Sequence, residues 1–495
     1  MSTAPDPFFL LLAAVLLLPI AIAICLRMPA GVTLAFVAVL CVFSSSTWGQ
    51  LQEENTIYAR GTGVFAFSLL NLLLWVAAAA MFIRAKPLGA ELRSRGFIDQ
   101  TISDRSPLVN YQPSIGPFNT KDAPFTLFIA CFGLMLLGHL LIGLISGIEP
   151  LAVLGYNGVI NVLNMALFSA LILSTITTEQ RRQHLLQVLL ALAALRAGFG
   201  LLRYQFFGGD SANPYRNFEK LDIKLVYFDI ADNYLAALAA FCLAWLLLMP
   251  GVRMSLHKRS LLLAWFVLEV ATVALSFRRS SLVGLSLMFG VLLWRLPWQR
   301  RILCAAAGFV AMLLAAGVLM RERLQFNTPQ TDLLSSLLYD VGPARATEVS
   351  RFYELEAAAK SLDGQWLFGL GSWGTFYGNE DALDYHFGKF DFVHSGFGHL
   401  ILKSGLVGLL LFVALIIACL AHYIRHRPAL SGNSALLADA GVAGLLFWLP
   451  TLLIGTPIIE FRSMLLIGMT LALVYLHPRI IRRRASYSTP IYATA

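Results

Sequence analysis

The sequence predicts an all-α polytopic membrane protein, on three observations. Of its 495 residues, 58% are hydrophobic and only 13% charged, and the mean hydropathy is +0.72, which lies outside soluble globular usage. Apolar runs close to the ~18–20 residues that an α-helix needs to cross a bilayer recur along the whole chain. Between those runs, Lys and Arg collect in short segments, which is how topology is encoded in membrane proteins.

Taken in order, the expected spans are 8–25, 29–47, 62–82, 125–145, 151–174, 185–207, 229–249, 261–277, 281–294, 302–320, 394–421, 436–455 and 463–476, a count of twelve or thirteen. The first run lacks a basic leader region and is long enough to span, so it reads as a retained helix and not a cleaved signal. Spans 261–277 and 281–294 are short and flank the interruption Arg278-Arg279-Ser280. The chain divides into an N-terminal transmembrane bundle, 1–228, and a second membrane region, 229–495, which includes a large loop at 321–393.

Orientation follows from the basic loops. The C-terminal cluster Arg479, Arg482, Arg483 and Arg484 is expected in the cytoplasm. Counting back from it also makes cytoplasmic the loops with Arg425 and Arg427, with Arg295, Arg300 and Arg301, with Arg253, Lys258 and Arg259, with Arg181 and Arg182, and the segment 84–121. This leaves 48–61, 208–228, the Arg278-Arg279 turn, 321–393 and 456–462 outside. Within 321–393 a helix is expected over 350–362, where Phe352, Leu355, Ala359 and Leu362 share a face and Gly364 follows the end.

Several function classes are excluded or disfavoured. The net charge of +9 is spread over topology-setting loops, so nucleic acid is not an expected partner. All six cysteines, Cys25, Cys41, Cys131, Cys242, Cys304 and Cys419, fall in apolar runs and read as core packing. Gly369-x-Gly371-x-x-Gly374 matches a dinucleotide fingerprint by letter but lacks a βαβ context. Its glycines are expected to let a turn approach the membrane closely. No D-x-D, HExxH or Cys/His metal spacing occurs, so neither cofactor nor metal is expected. No fixed-period repeat is visible, and the two halves do not mirror each other, which argues against an inverted-repeat transporter.

Ionisable residues inside spans cost about 2.5–3.5 kcal/mol each on insertion scales and therefore call for a partner or a function. Arg196 and Arg203 lie seven residues apart on one helix face, and Glu269 is mid-span in a later helix. An Arg196–Glu269 pair joining two helices is one expectation, and a cationic track leading outward through Arg203 is the other. Asn157, Asn161 and Asn164 form a stripe at i, i+4, i+7, suited to interhelical hydrogen bonds or to substrate contact. His139 is read as a core histidine.

The richest stretch is Asp391-Phe392-Val393-His394-Ser395, then nine residues, Gly405, two residues and Gly408. This pattern resembles the signature of the O-antigen ligase superfamily, shared in looser form by O-unit and exopolysaccharide polymerases. Upstream, Arg351 and the run Trp366-Leu367-Phe368-Gly369-Leu370-Gly371-Ser372-Trp373-Gly374-Thr375-Phe376 look like the superfamily's segment from an arginine to a Gly-x-Gly and an aromatic. Ser276-Phe277-Arg278-Arg279-Ser280 is similar to its Ser-Arg turn, with one inserted Phe and a doubled Arg that leave open which arginine matches. Asp229-Ile230-Ala231-Asp232-Asn233-Tyr234-Leu235-Ala236 resembles the start of another span, whose preceding arginine has Arg216 or Lys224 as its stand-in. The likeness covers roughly 229–476.

The resemblance implies a GT-C-like helical fold. It also implies transfer of a glycan from undecaprenyl pyrophosphate to a hydroxyl of an acceptor glycan, either lipid A core or a growing polysaccharide, at the outer face of the bacterial inner membrane. Set against that reaction, His394 reads as the base, oriented by Asp391, and Arg203, Arg216, Arg278, Arg279 and Arg351, all expected at or near the outer face, read as ligands of the pyrophosphate. Those roles suit the residue types: guanidinium forks stabilise a departing phosphate without a metal, and histidine titrates near neutral pH. Within the superfamily the spacing leans to ligase over polymerase. A lipid-linked glycan flippase is the rival from another class, with the same arginines binding pyrophosphate and His394 merely interfacial. A purely structural scaffold leaves Arg196, Arg203 and Glu269 without a purpose.

Overall fold

A computed structural model describes residues 18–43, 58, 68–85, 124–211, 224–248, 254–302, 304–305, 351–378 and 389–476. Most of the expected span 302–320, the C-terminal arginines, most of the 321–393 loop and Arg216 lie outside the described residues, as do the side chains of Arg351, Phe352 and Tyr353.

The fold is a helical bundle with one two-stranded ribbon among the described residues. Its helices are α1 (Leu18–Arg27), α2 (Pro29–Val42), α3 (Leu69–Ala85), α4 (Pro124–Ile145), α5 (Pro150–Leu154), α6 (Ile160–Thr175) and α7 (Glu179–Phe206). They continue as α8 (Ile230–Leu248), α9 (Leu256–Ala274), α10 (Arg279–Arg295), α11 (Arg351–Ser361), α12 (Gly396–His426), α13 (Gly432–Ile454) and α14 (Phe461–Tyr475). The ribbon pairs β1 (Phe376–Tyr377) with β2 (Lys389–Phe390). Among the described residues five helices, α4, α7, α8, α12 and α13, are long and apolar enough to cross a membrane. The bent pair α1 and α2, at 108°, makes a sixth if counted as one span.

Burial sorts the helices. In α8, 89% of the most apolar window is buried, against 28% in α4 and 33% in α7 and α12. A helix apolar all round and buried is the centre of a bundle, whereas an apolar helix with an open face meets lipid. Helices α8, α13 and α14 form the centre, with α10 packed on α13, α6 on α14 and α9 on α8. One hydrophobic core runs continuously through them, from Cys25 to Leu476.

Two expectations need correction. The span expected over 151–174 is two helices, broken at Gly155-Tyr156-Asn157-Gly158. The break is occupied by Ser372, whose hydroxyl donates to the Val153 carbonyl at 2.6 Å and accepts from the Val159 N–H at 3.3 Å. A Cβ on Gly158 would sit 2.5 Å from that hydroxyl. In addition, Arg196 does not pair with Glu269. It forks onto Asp232 of α8, Nε to Oδ1 at 3.1 Å and Nη2 to Oδ2 at 2.9 Å. Helix α7 begins at Glu179 and runs 28 residues, and its pairing places Arg196 level with the first turn of α8. Glu269 instead accepts from Trp265 Nε1, one turn earlier on its own helix, at 2.9 Å.

At the far end of the bundle, Asp439 is wholly buried and accepts from Arg427, Tyr423 and Trp245, tying α8, α12 and α13 together. Arg295 of α10 joins it through the Tyr423 hydroxyl. Arg295 and Arg427, from two of the basic loops of the sequence scheme, thus meet at one end, and the residues considered next gather at the other.

Candidate active site

The site is built on two broken helices. Helix α12 contains Gly405 at φ +63°, ψ −165°, a backbone that ends the ladder of a helix. The groups released by that break bond to the loop after α11: the Leu406 N–H donates to Trp366 O at 2.8 Å, the Val407 N–H to Leu367 O at 3.1 Å, and the Leu370 N–H to Leu402 O at 2.8 Å. The loop approaches so closely that a Cβ on Gly405 would lie 2.3 Å from Leu367 O, and one on Gly369 2.6 Å from Gly405 N. Gly369 and Gly405 are therefore one device, a turn seated backbone to backbone in a helix break. Gly405 thus serves helix-to-loop packing. Lys403, buried, closes the turn by donating to Gly374 O at 2.6 Å.

Above this seat α11 packs on the start of α12, with Leu355 against Gly398. Ala357, Ala358, Phe376, Val393 and Leu402 form a small separate core there. The packing brings Glu354 to His394. Glu354 Oε2 accepts from the His394 backbone N–H at 3.1 Å, and Oε1 meets His394 Nδ1 at 2.8 Å. The Glu354 side chain is 9% exposed and that of His394 36%. A carboxylate only accepts, so Nδ1 carries the proton in this pair, and in the neutral ring Nε2 is then the acceptor. The residue seen orienting His394 is thus Glu354. Asp391 instead accepts from the Asn157 side chain at the α5–α6 break. Sequence reasoning missed Glu354, although it lies three residues after Arg351 and therefore on the same face of the same helix.

The Asn stripe divides its work. Asn161 donates to Ile459 O at 3.0 Å, and Asn164 accepts from Trp75 Nε1 at 2.8 Å. His139 lies edge-on to Trp373, with ring centroids 5.9 Å apart, as a core residue does.

The arginines occupy the same end of the bundle. Arg203 pairs with Asp210 at 2.9 Å and donates to Val226 O at 2.7 Å. Asp210 also holds the Phe228 N–H at 2.8 Å, and Arg278 stacks over the Phe228 ring at 4.4 Å. Arg203, Asp210, Phe228 and Arg278 are therefore contiguous. Arg278 caps α10 and Arg279 opens it, just after Phe277 at φ +53°. Arg351 opens α11, one turn before Glu354.

Between the histidine and the arginines lies a buried charge cluster that the sequence did not announce. Arg462, 1% exposed, donates to Asp229 at 2.8 Å, to Asp232 at 2.6 Å and to Leu40 O at 2.9 Å. With Arg196 it makes two cations against two carboxylates, a balanced set in a low-dielectric setting. Asp229 additionally caps α8 through the Ala231 N–H at 2.8 Å. The segment from Ile458 to Arg462 connects the halves of the site, since Ile458 packs on Gly396, two residues after His394.

An apolar bundle that carries a carboxylate-held histidine and several arginines at one end defines a polytopic membrane protein with a built site at that end. Residues 262–413 match the family model described as O-Antigen ligase. That stretch is thus similar to the O-antigen ligase superfamily, whose function is of the glycan ligase or polymerase type. The matched stretch contains Arg278, Arg279, Arg351, Glu354, Asp391, His394, Gly405 and Gly408, while Arg203, Arg216 and Arg462 lie beyond it. A search of curated proteins returned no match to the chain.

Proposed function

We propose that this protein transfers a glycan from a polyprenyl pyrophosphate to a sugar hydroxyl of an acceptor, as a ligase, at the outer face of the bacterial inner membrane. The observation that carries the proposal is the Glu354–His394 pair, in which Glu354 engages Nδ1 of a half-exposed imidazole and leaves Nε2 as the nitrogen to take the acceptor's proton. The acceptor hydroxyl gives its proton to Nε2 as its oxygen attacks the anomeric carbon. The bond from that carbon to the phosphate oxygen breaks, and polyprenyl pyrophosphate departs with the electron pair. Glu354 steadies the imidazolium so formed, as a buried carboxylate does in a hydrolase triad. Arg278, Arg279 and Arg351, with Arg203 held by Asp210 at the margin, offset the charge developing on the leaving pyrophosphate.

Purified protein with lipid-linked donor and acceptor, followed on a gel, tests the reading. Glu354→Gln keeps size and polarity but removes the charge, so transfer should fall by about 10²-fold or more. Asp391→Asn keeps its oxygen for Asn157 and should retain most of the activity. Equal loss in both, or in neither, refutes the assignment of Glu354. Arg279→Lys keeps the charge and loses the fork, so transfer should fall while thermal stability in detergent stays near wild type. A parallel loss of folded protein would instead make Arg279 a structural residue.

A further inference from the structure

Three consecutive large apolar residues, Trp366, Leu367 and Phe368, sit on the turn seated in α12 and are 43%, 58% and 56% exposed. Their backbone is fixed, because Trp366 O and Leu367 O accept from Leu406 and Val407 of α12. The side chains are therefore held outward on a rigid support and are not a loose loop tip.

Their height follows from α12. From Gly396 to Gly405 most of the helix is covered by the rest of the protein, and its open stripe starts only at Leu406. The stripe continues through Leu410, Ile417 and Ile424, which are 64%, 59% and 66% exposed. Leu406 to Ile424 is eighteen steps, about 27 Å along a helix, which matches a hydrocarbon layer of ~30 Å. Arg425 and His426 follow at once and mark the opposite boundary. Leu406, the residue that holds the turn, is thus at the edge of the hydrocarbon, the level at which Trp and other amphipathic aromatics concentrate.

We propose that the turn at 364–371 is an interfacial membrane anchor, with Trp366, Leu367 and Phe368 inserted among the lipid acyl chains of the leaflet on the His394 side. Because α11 leads directly into this turn, the anchor fixes the height of Glu354, and with it His394, above the bilayer. If the glycan-transfer reading holds, that height is where the pyrophosphate of a lipid-linked donor lies.

The test does not depend on catalysis. p-Benzoylphenylalanine is placed at Leu367, or in a second variant at Phe368, and the full-length protein is irradiated in phosphatidylglycerol and phosphatidylethanolamine nanodiscs. The same probe at Lys360, whose side chain is 69% exposed and pairs with Glu356 on the polar face of α11, is the reference. Mass spectrometry should find phospholipid adducts at 367 or 368 at least tenfold above those at 360. Equal adduct yields at all three positions, or crosslinks from 367 and 368 into a second copy of the chain, overturn the anchor.

Discussion

Replacing His394 by alanine is expected to remove glycan transfer, with a loss of about 10²–10⁴ in rate, the usual contribution of a positioned general base. The geometry makes the expectation specific. Glu354 engages the backbone N–H and Nδ1 of His394, so a single carboxylate fixes both the ring's orientation and its tautomer. Only Nε2 remains for an acceptor proton. His394→Gln retains a polar side chain of similar reach but takes up no proton at neutral pH, and it should be nearly as inactive as the alanine variant. On the proposed function, binding of a lipid-linked donor should survive in both, because Arg203, Arg278 and Arg279 are held by contacts that do not involve His394: Asp210, the Phe228 ring and the start of α10. Near-normal transfer by either variant would dismiss the base and favour a lipid-linked glycan carrier in which His394 is merely interfacial.

What the sequence makes legible is periodic or local. The spans 125–145, 229–249 and 436–455 appear as Pro124–Ile145, Ile230–Leu248 and Gly432–Ile454, because twenty apolar residues in a row admit one structure in lipid. The helix expected over 350–362 is Arg351–Ser361, with Gly364 at φ +83° beyond its end. The break within 151–174 was not legible, since apolar content continues through Gly155 and Gly158, and what opens the helix is Ser372, more than two hundred residues away. The same limit hid the charge partners. Arg196 has carboxylates available at Asp232 and at Glu269, and the choice between them is made by the length of α7 and its packing on α8, which no spacing encodes. Glu354 was overlooked beside His394 because Asp391 is three residues from the histidine and Glu354 forty. Separation along the chain says nothing once α11 folds back on the start of α12.

The largest expected effect on folding belongs to Arg462. Its guanidinium joins three helices, α2 through Leu40 O, α8 through Asp229 and Asp232, and its own α14. Arg462→Met keeps the volume of the aliphatic stem and removes every donor. Two carboxylates then remain with Arg196 as the one partner of this set, and Asp232, wholly buried, shares it already. Breaking a buried pair by removing one member costs about 3–5 kcal/mol, mostly the penalty of the charge left behind. The variant should therefore unfold at a clearly lower temperature in detergent. Arg462→Lys should recover little, since an ammonium cannot reach Leu40 O, Asp229 and Asp232 in the fixed directions of a guanidinium. If the damage comes from charge imbalance, restoring neutrality should relieve it. The double variant Arg462→Met with Asp229→Asn leaves one cation against one carboxylate, and it should be more stable than the sum of its single losses predicts. Strict additivity would place the cost in lost packing, and an unchanged melting temperature for Arg462→Met would remove the cluster from the forces that hold this end of the bundle together.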